Sequence, residues 1–270
     1  MGGRRPDDED DQHVGPDPAG DVPGVSSLRD RVLLVVGGAS GIGLAAARLA
    51  AADGAAVVVA DIDPAGAERI AALPGATSFV AADATDLASL QAAVAATLDR
   101  HGRLDGLLAT VGGAVLGDAV ALDPATWERE LRFNLTSAYL TCHAAIPALV
   151  RRPGSAIVLT SSGQAIMSAV DRAGYAAAKA GVISYTRSLA GALAPRRVRV
   201  NCIAPGPTDT PRFRAMNGGD AGVEHVRAQM PLGEIPRPED CANVALFLLS
   251  DAARQVTGQT IHVNGGLLMP

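Results

Sequence analysis

Short runs of aliphatic residues alternate with longer amphipathic segments from about residue 31 to the end of the chain. The runs have the length of buried strands, and the segments between them have the length of helices. We therefore predict strands at 31–36, 55–61, 77–81, 106–110, 156–161, 198–203 and 260–263. The predicted helices occupy about 42–53, 64–72, 86–101, 124–151, 174–194 and 237–250.

Strands that alternate with helices form βαβ units, whose right-handed crossovers place parallel strands in one sheet. The predicted fold class is therefore α/β, with a doubly wound parallel sheet of about seven strands and helices on both faces. We expect residues 28–270 to form a single domain. The segment 207–236 breaks the alternation with several prolines and a Gly-Gly pair, and we expect it to be a mobile lid.

Charge is concentrated at the start of the chain. Residues 1–27 are acidic and rich in proline and glycine, and we predict that this tail is disordered. Its two arginines and seven acidic residues account for the whole net charge of −5, so the rest of the chain is neutral. A neutral domain has no basic face, and we therefore expect neither nucleic acid nor an anionic membrane as a partner.

Composition limits the remaining classes of protein. Hydrophobic residues make up 48% and aromatic residues 3%, which favours an aliphatic core built on a parallel sheet. The three cysteines form no CxxC pair and the five histidines show no ligand spacing, so we expect no disulfide and no metal site. The chain has no apolar run of about 18 residues and no apolar stretch after its first arginines, so we expect a cytoplasmic protein.

Tyr175 and Lys179 carry the clearest candidate chemistry. Their spacing places both on the same face of a helix, one turn apart. Ser162 precedes the tyrosine by thirteen residues and follows the predicted strand 156–161. A hydroxyl, a phenol and an ammonium can therefore converge at the carboxyl end of the sheet. An ammonium beside a phenol favours the phenolate, so we expect Lys179 to lower the pKa of Tyr175 and make it a usable proton donor and acceptor.

A glycine-rich turn follows the first predicted strand. Gly37, Gly41 and Gly43 allow a tight turn and a close backbone approach at a helix N-terminus, which can receive a pyrophosphate. Such a turn alone is also typical of a purely structural βα connection. Asp61 ends the second predicted strand, where a carboxylate can hold an adenosine ribose and repel a 2′-phosphate. We therefore expect NAD rather than NADP; a helix cap or solvated loop carboxylate is the alternative role of Asp61.

In combination, these motifs resemble those of the short-chain dehydrogenase/reductase family in its compact, one-domain, NAD-preferring form. The resemblance extends from about residue 28 to the C-terminus and implies a Rossmann-type sheet. Two further runs carry it, Asn-Cys-Ile-Ala-Pro-Gly-Pro-Thr-Asp-Thr at 201–210 and Thr-Gly-Gln-Thr-Ile-His-Val-Asn-Gly-Gly at 257–266. Two positions depart from the family pattern: Val36 replaces the usual Thr, and Ala109-Thr110-Val111-Gly112 replaces Asn-Asn-Ala-Gly. These departures leave local hydrogen bonding and cofactor affinity open.

The resemblance implies a role for each matching residue. Tyr175 is the general acid/base, Lys179 binds the nicotinamide ribose, and Ser162 hydrogen-bonds the substrate oxygen. Asn134 supports a water that links Lys179 to solvent. The implied cofactor-binding residues are Gly37, Ser40, Gly41, Ile42, Gly43, Asp61, Ile62, Asp83, Ala84, Thr110, Val111, Gly112, Tyr175, Lys179, Pro205, Gly206, Thr208 and Thr210. The candidate substrate-binding residues are Ser162, Gln164, Tyr175, Pro207 and Phe213, with Gly113, Ala114, Met167 and Met216 as further candidates for the pocket wall.

The resulting hypothesis is an oxidoreductase that transfers a hydride between NAD(H) and a secondary alcohol or ketone. One alternative is an NADP(H)-dependent reductase of ketones or 3-oxoacyl thioesters. A non-catalytic, dinucleotide-binding scaffold is a third hypothesis. The resemblance also implies a homotetramer whose subunits pack through the helices predicted at 124–151 and 174–194.

Overall fold

The computed structural model describes residues 27–270, so the disorder predicted for the acidic tail lies outside the described residues apart from Ser27. Its strands are β1 (Val32–Val36), β2 (Ala56–Asp61), β3 (Thr77–Ala81), β4 (Gly106–Ala109), β5 (Ala156–Thr160), β6 (Arg199–Pro205) and β7 (Thr260–Val263). All pair in parallel in one sheet, in the order β3-β2-β1-β4-β5-β6-β7. This topology confirms the predicted doubly wound α/β class.

Helices cover both faces of the sheet, as predicted. They are α1 (Gly41–Ala52), α2 (Gly66–Ala71), α3 (Leu87–His101), α4 (Pro124–Leu131), α5 (Ser137–Leu149), α6 (Ala173–Leu193), α7 (Pro211–Met216), α8 (Asp220–Arg227) and α9 (Pro238–Leu249). The buried residues of α3, α5 and α6 join one hydrophobic cluster, and those of α1 and α9 join the other. Because most strands are buried on both faces, they are continuous aliphatic runs.

β6 ends two residues beyond the predicted strand 198–203. The aliphatic run stops at Ile203, but Ala204 and Pro205 still pair with His262 and Val263 of β7. The length of β6 is therefore decided by its neighbour in the sheet, because a strand continues for as long as a partner backbone is available to pair with it.

A π-helical turn, Arg132–Thr136, divides the predicted helix 124–151 into α4 and α5. Asn134 lies in this turn and donates from Nδ2 to the backbone oxygen of Glu130 at 3.1 Å. Side chains that bond to the backbone one turn earlier compete with the helical ladder, and single π turns are frequent at functional sites. The π-helical turn therefore interrupts the predicted helix at Asn134, one of the site residues predicted from the sequence.

The carboxyl ends of β1, β4, β5 and β6 meet at one edge of the sheet. The strand order reverses at β1: β2 and β3 follow on one side of it, and the chain then crosses to β4 on its other side. Open α/β sheets bind their ligands at this kind of switch point. No helix of the described residues combines the length and the hydropathy needed to cross a membrane.

The segment 207–236 contains α7 and α8 and lies beside this edge. Its two ends are tied together where Asp209 N donates to the backbone oxygen of Pro236 at 2.9 Å. Leu232 N donates to the backbone oxygen of Gly265 at 3.1 Å, which joins the segment to the chain after β7. Its position agrees with that of a lid, and its mobility stays a prediction.

Candidate functional site

Lys179 and Tyr175 project from α6 toward the edge of the sheet. Lys179 is 2% exposed, and its Nζ lies 5.8 Å from the centroid of the Tyr175 ring. Nζ donates to the backbone oxygen of Thr160, at the end of β5, at 2.9 Å and to that of Val111 at 3.5 Å. Ser161 Oγ donates to the backbone oxygen of Lys179 at 2.7 Å and anchors α6 to β5. The ammonium is therefore fixed against the phenol ring by two strand ends.

The charges around the two side chains differ from the expectation. Burial lowers the pKa of Lys179 to about 8. The charges of Cys202 and Glu130 have the opposite, smaller effect and raise it. Burial also raises the pKa of Tyr175; a hydrogen bond with Ser162 and the charges of Arg212 and Arg172 lower it. Lys179 is not among the groups that lower the pKa of Tyr175, so that expectation is not met here. Its Nζ donates to two carbonyl oxygens.

Ser162 lies where the sequence placed it, between β5 and a 3₁₀ turn, Gly163–Ile166. Its side chain is largely buried, and Oγ accepts from the backbone amide of Gln164 at 3.2 Å. The same hydroxyl lowers the pKa of Tyr175 by a hydrogen bond, so the serine and tyrosine oxygens are neighbours. The segment from Ser162 to Tyr175 contains the 3₁₀ turn and the start of α6. The hydroxyl of Ser162 and the phenol of Tyr175 are therefore brought together, as predicted.

Asn134 is completely buried and holds the loop that follows β4. Its Oδ1 accepts from Gly113 N at 2.8 Å, and its Nδ2 donates to the backbone oxygen of Gly113 at 3.0 Å. Gly112 lies between Asn134 and Lys179: a Cβ there would be 2.6 Å from Lys179 Nζ and 2.9 Å from Asn134 Oδ1. The asparagine is thus brought to the site as predicted. Its role in holding a water stays a prediction.

Glu130 is a site residue that the sequence reasoning missed. It is buried, and its two carboxylate oxygens accept from Val115 N at 2.9 Å and from Asn134 Nδ2 at 3.0 Å. Its charge raises the pKa of both Tyr175 and Lys179. The available signal was its position four residues before Asn134, which places both on one helical face.

The glycine-rich turn after β1 has the geometry that a phosphate group needs. Gly37 and Gly41 have φ of +86° and +52°, where only glycine is unstrained. A Cβ at Gly43 would lie 2.4 Å from the backbone oxygen of Gly37, so glycine is needed for this close approach. Ser40, at the start of α1, makes no side-chain cap hydrogen bond. The first amides of α1, including that of Ile42, are therefore suited to an anionic group, and the turn fits a dinucleotide pyrophosphate.

Thr110 connects the two positions at which the sequence departs from the family motifs. Its Oγ1 lies 3.1 Å from the backbone oxygen of Val36 and 2.9 Å from that of Gly37, within donating distance of both. This hydroxyl joins the end of β4 to the glycine-rich turn. The backbone oxygens at the end of β1 therefore have a hydroxyl donor that comes from the end of the neighbouring strand β4.

Two carboxylates stand at the ends of β2 and β3. Asp61 accepts from Ala39 N at 2.8 Å and from Asp63 N at 3.0 Å, so it braces the glycine-rich turn. Its carboxylate lies beside that turn, and the neighbouring Ile62 side chain is exposed. Asp83 accepts from both the amide and the hydroxyl of Thr85 at 2.7 and 2.8 Å, in the manner of a turn residue. The buried Ala84 lies within that turn. Contact of these residues with adenosine stays a prediction.

The chain after β6 closes the site from the lid side. Thr208 is buried and donates from Oγ1 to the backbone oxygen of Gly206 at 3.1 Å. Thr210 caps α7 by accepting from Phe213 N at 3.1 Å, and its Cγ2 lies 3.5 Å from the position of a Cβ on Gly41. The run from Pro205 through Pro207 to Thr210 therefore meets the glycine-rich turn across the edge of the sheet. Of the predicted wall residues, Met167 and Met216 are partly exposed.

The arrangement places proton-transfer groups beside a turn that fits a dinucleotide. Ser162 and Tyr175 can both hydrogen-bond one oxygen atom, and Lys179 has three donors, of which two face carbonyl oxygens. Such a site is suited to moving a proton to or from an oxygen atom while a neighbouring cofactor exchanges a hydride.

Comparisons with known proteins agree with this geometry. A family model described as enoyl-(acyl carrier protein) reductase matches residues 37–268. The chain is 36% identical over 248 residues to 2-(S)-hydroxypropyl-CoM dehydrogenase 3 of Xanthobacter autotrophicus, covering 89% of this chain and 97% of that protein. It is 34% identical to the 3-oxoacyl-[acyl-carrier-protein] reductase FabG of Chlamydia pneumoniae, with 89% and 98% covered. The crystal structure of a candidate short-chain dehydrogenase/reductase from Burkholderia xenovorans matches with a TM-score of 0.83 and 38% identity, covering 90% and 98% of the two chains.

Proposed function

Because the chain belongs to the short-chain dehydrogenase/reductase family, we propose that it transfers a hydride between NAD(H) and a secondary alcohol or the corresponding ketone. The observation that carries the proposal is the buried ammonium of Lys179 against the ring of Tyr175, 5.8 Å from its centroid. The pair stands at the sheet edge that also holds the glycine-rich turn. Ser162 supplies the second group beside the phenol.

In the proposed reaction, the substrate oxygen lies between Ser162 and Tyr175. Tyr175 accepts the hydroxyl proton during oxidation and returns it during reduction. Bound NAD would supply the hydride acceptor, and NADH the hydride. Burial raises the pKa of Tyr175, so the phenol form predominates at neutral pH and suits ketone reduction. We expect alcohol oxidation to become faster as the pH rises toward that pKa.

Lys179 and Asn134 have supporting roles in this proposal. Lys179 turns two donors to carbonyl oxygens, and we assign its third donor to the ribose of the nicotinamide half. Asn134 holds both backbone polar groups of Gly113, which forms a wall beside the reacting atoms. Both residues would thus fix positions, which is a major source of rate in reactions between bound groups.

We assign NAD rather than NADP because of Asp61. Its carboxylate stands at the end of β2, braced by the amides of Ala39 and Asp63. A 2′-phosphate at this place would face a like charge, whereas ribose hydroxyls can donate to the carboxylate. The cofactor preference is the finer part of the proposal, and it has its own test in the Discussion.

An NADPH-dependent reductase of ketones or 3-oxoacyl thioesters is the second candidate. It is favoured by the likeness to the reductase of Chlamydia pneumoniae, whose name states a 3-oxoacyl carrier-protein substrate. The predominance of the protonated phenol also suits a reductase. Consumption of NADPH at lower concentration than NADH, with an oxoacyl thioester preferred over simple ketones, would favour this candidate.

The test is a panel of secondary alcohols and ketones with NAD(H), assayed with the wild type and Tyr175→Phe. We expect the substitution to lower the turnover rate by about 10²- to 10⁴-fold, because a phenyl ring has no hydroxyl proton to exchange. Isothermal titration with NADH should give nearly the same affinity for both proteins. Tyr175→Phe turnover equal to the wild type would contradict the role of Tyr175. Tight NADH binding without turnover of any panel member would favour a dinucleotide-binding scaffold.

We further propose a homotetramer in the cytoplasm, with residues 28–270 acting as one domain. The segments 124–151 and 174–194 are the proposed interface, because the first of them exposes Trp127, Phe133 and Tyr139 to solvent in the single chain. Light scattering after size exclusion measures the assembly directly. A monomer at micromolar concentration would contradict the proposed tetramer.

A further inference from the structure

Arg212 reaches from α7 of the lid to the opposite wall of the site. Its Nη2 donates to the backbone oxygen of Ala114 at 3.0 Å. A Cβ at Gly113 would lie 2.2 to 2.3 Å from Nη1, Cζ and Nη2 of Arg212. The missing side chain at Gly113 therefore leaves the space that the guanidinium occupies. Arg212 thus spans the cleft at the wall that Asn134 holds in place.

The charge of Arg212 is not neutralised within residues 27–270, where no carboxylate lies within 4.0 Å of its guanidinium. Two neighbouring arginines differ in this respect. Arg172 pairs with Asp171 through two bonds of 2.9 and 2.7 Å. Arg214, on the same helix as Arg212, pairs with Asp209 and with a second carboxylate. A guanidinium carries five donors in a fork that matches a carboxylate, and Arg212 uses one of them on a carbonyl oxygen.

A cavity of about 330 Å³ opens beside Arg212, which is room for a small organic acid. Arg129 and Arg132 also line it, so three arginines border the space. Arg129 donates to the hydroxyl of a threonine and Arg132 to the backbone oxygen of Thr85, so neither is committed to a carboxylate. Glu130 is the acidic residue of the wall, and both its oxygens already accept hydrogen bonds. The lining therefore favours an anion.

The arginine-lined cavity and the phenol of Tyr175, the proposed proton-transfer group, belong to one site. Arg212 lies against Gly113. The adjacent Gly112 lies against Lys179, since a Cβ on Gly112 would be 2.6 Å from Nζ. The charge of Arg212 also lowers the pKa of Tyr175. A substrate that places its hydroxyl between Ser162 and Tyr175 can therefore extend an anionic group toward Arg212. Pairing in a partly enclosed cleft orients such a substrate as well as binding it.

We propose that Arg212 binds the carboxylate of the substrate, so that the preferred substrates are small hydroxy acids and the corresponding oxo acids. This inference rests on the proposed function and specifies its substrate class. The pyrophosphate of the cofactor is the other anion that a lid arginine could meet. The experiment separates the two, because only a substrate carboxylate makes the effect depend on the charge of the substrate.

The experiment compares hydroxybutyrates, hydroxyvalerates and cyclic hydroxy acids with the primary carboxamide of each, using NAD and the full-length protein. A carboxamide keeps the size of the carboxylate and removes its charge. We expect the wild type to prefer the acid by about tenfold or more in kcat/KM. Arg212→Ala should abolish this preference by raising KM about 10- to 100-fold more for the acid than for the carboxamide. Any effect of the lost charge on the pKa of Tyr175 acts on both substrates alike and cancels in the ratio of their kcat/KM values. Arg212→Lys should retain part of the preference.

Binding measurements complete the design. Calorimetric titration of a hydroxybutyrate into Tyr175→Phe with saturating NADH, with and without Arg212→Ala, measures the contact without turnover. Arg254→Ala, which changes an exposed arginine after α9, is the matched control and should behave as the wild type. Unchanged thermal unfolding and NADH affinity in Arg212→Ala would confirm an intact fold.

Equal kcat/KM for acids and carboxamides would overturn the inference and leave the proposed function standing. Weaker NADH binding in Arg212→Ala, with acid and carboxamide affected alike, would assign Arg212 to the pyrophosphate and also overturn it. Failure to oxidise any alcohol, charged or uncharged, would overturn the proposed function itself. An acid preference that Arg212→Ala removes supports both.

Discussion

The side-chain amide of Asn134 donates to the carboxylate of Glu130, with Nδ2 3.0 Å from Oε2. The other carboxylate oxygen accepts from Val115 N at 2.9 Å. Glu130 also packs beside α6, since a Cβ at Gly174 would lie 3.1 Å from the Cβ of Glu130. The buried side chain of Glu130 therefore connects the loop after β4 to the turn of α6 that carries Tyr175.

Glu130→Gln should move the pH profile of alcohol oxidation to lower pH. The substitution keeps the size of the side chain and removes a negative charge that raises the pKa of Tyr175. The phenolate would then form at lower pH, and the rising limb of kcat/KM against pH should shift downward. The control is Glu128→Gln, an exposed residue of the same helix. An unshifted profile, or the same shift in the control, would contradict this role of Glu130.

Thr110→Val should destabilise the protein and weaken NADH binding. Valine has the shape of threonine but cannot donate to the backbone oxygens of Val36 and Gly37. Leaving a partly buried carbonyl without its donor costs about 1–3 kcal/mol of the free energy of unfolding. Urea denaturation and NADH titration measure the two effects. Thr110→Ser keeps the hydroxyl and should stay close to the wild type; similar losses in both variants would mean that the methyl group matters instead.

Asp61→Asn should raise the preference for NADPH over NADH. Asparagine keeps an oxygen that can accept from Ala39 N, so the turn stays braced, but the negative charge is lost. We expect the ratio of kcat/KM for NADPH to that for NADH to rise about tenfold or more, because the repulsion of a 2′-phosphate disappears. Asp63→Asn, two residues away, is the control and should leave the ratio near the wild-type value. A ratio that does not change in Asp61→Asn would count against the assigned cofactor preference.

Lys179 should make the stability of the wild type depend on pH in the alkaline range. Burial lowers its pKa from 10.5 to about 8 in the folded protein. Between those values the unfolded chain binds the proton and the folded chain does not, so the free energy of unfolding rises with pH, by about 1.4 kcal/mol per pH unit at most. Below about pH 8 both states are protonated and the effect vanishes.

The measurement compares the wild type with Lys179→Met by urea denaturation from pH 7 to about pH 10. The difference in the free energy of unfolding should change in favour of the wild type above about pH 8, since other titrating groups cancel between the two proteins. Parallel pH dependences would show that Lys179 keeps an ordinary pKa in the folded protein.

Much of the fold could be read from short stretches of the sequence. The strand predicted at 77–81 and that at 260–263 are β3 and β7 with the same bounds, and most other ends differ by one or two residues. Tyr175 and Lys179 share a helical face because their spacing alone requires it. Gly37 and Gly41 have left-handed φ values that glycine at a βα turn predicts.

Contacts between distant segments were decided by the tertiary structure. Thr110 can donate to the backbone oxygen of Val36 because β4 lies next to β1, a pairing that no local sequence pattern predicts. The π turn at Asn134 and the extension of β6 beyond Ile203 depend on neighbours in the fold. The sequence analysis did not identify Arg212, and only its contact with Ala114 places it across the cleft.

The sequence by itself thus determined the strands, the helices, the glycine-rich turn and the spacing of Ser162, Tyr175 and Lys179. Only the tertiary structure decided that the charges of Glu130, Arg172 and Arg212 act on Tyr175. The reason is physical. Backbone conformation follows from neighbours along the chain, whereas a pKa and a binding contact depend on burial and on distances through space.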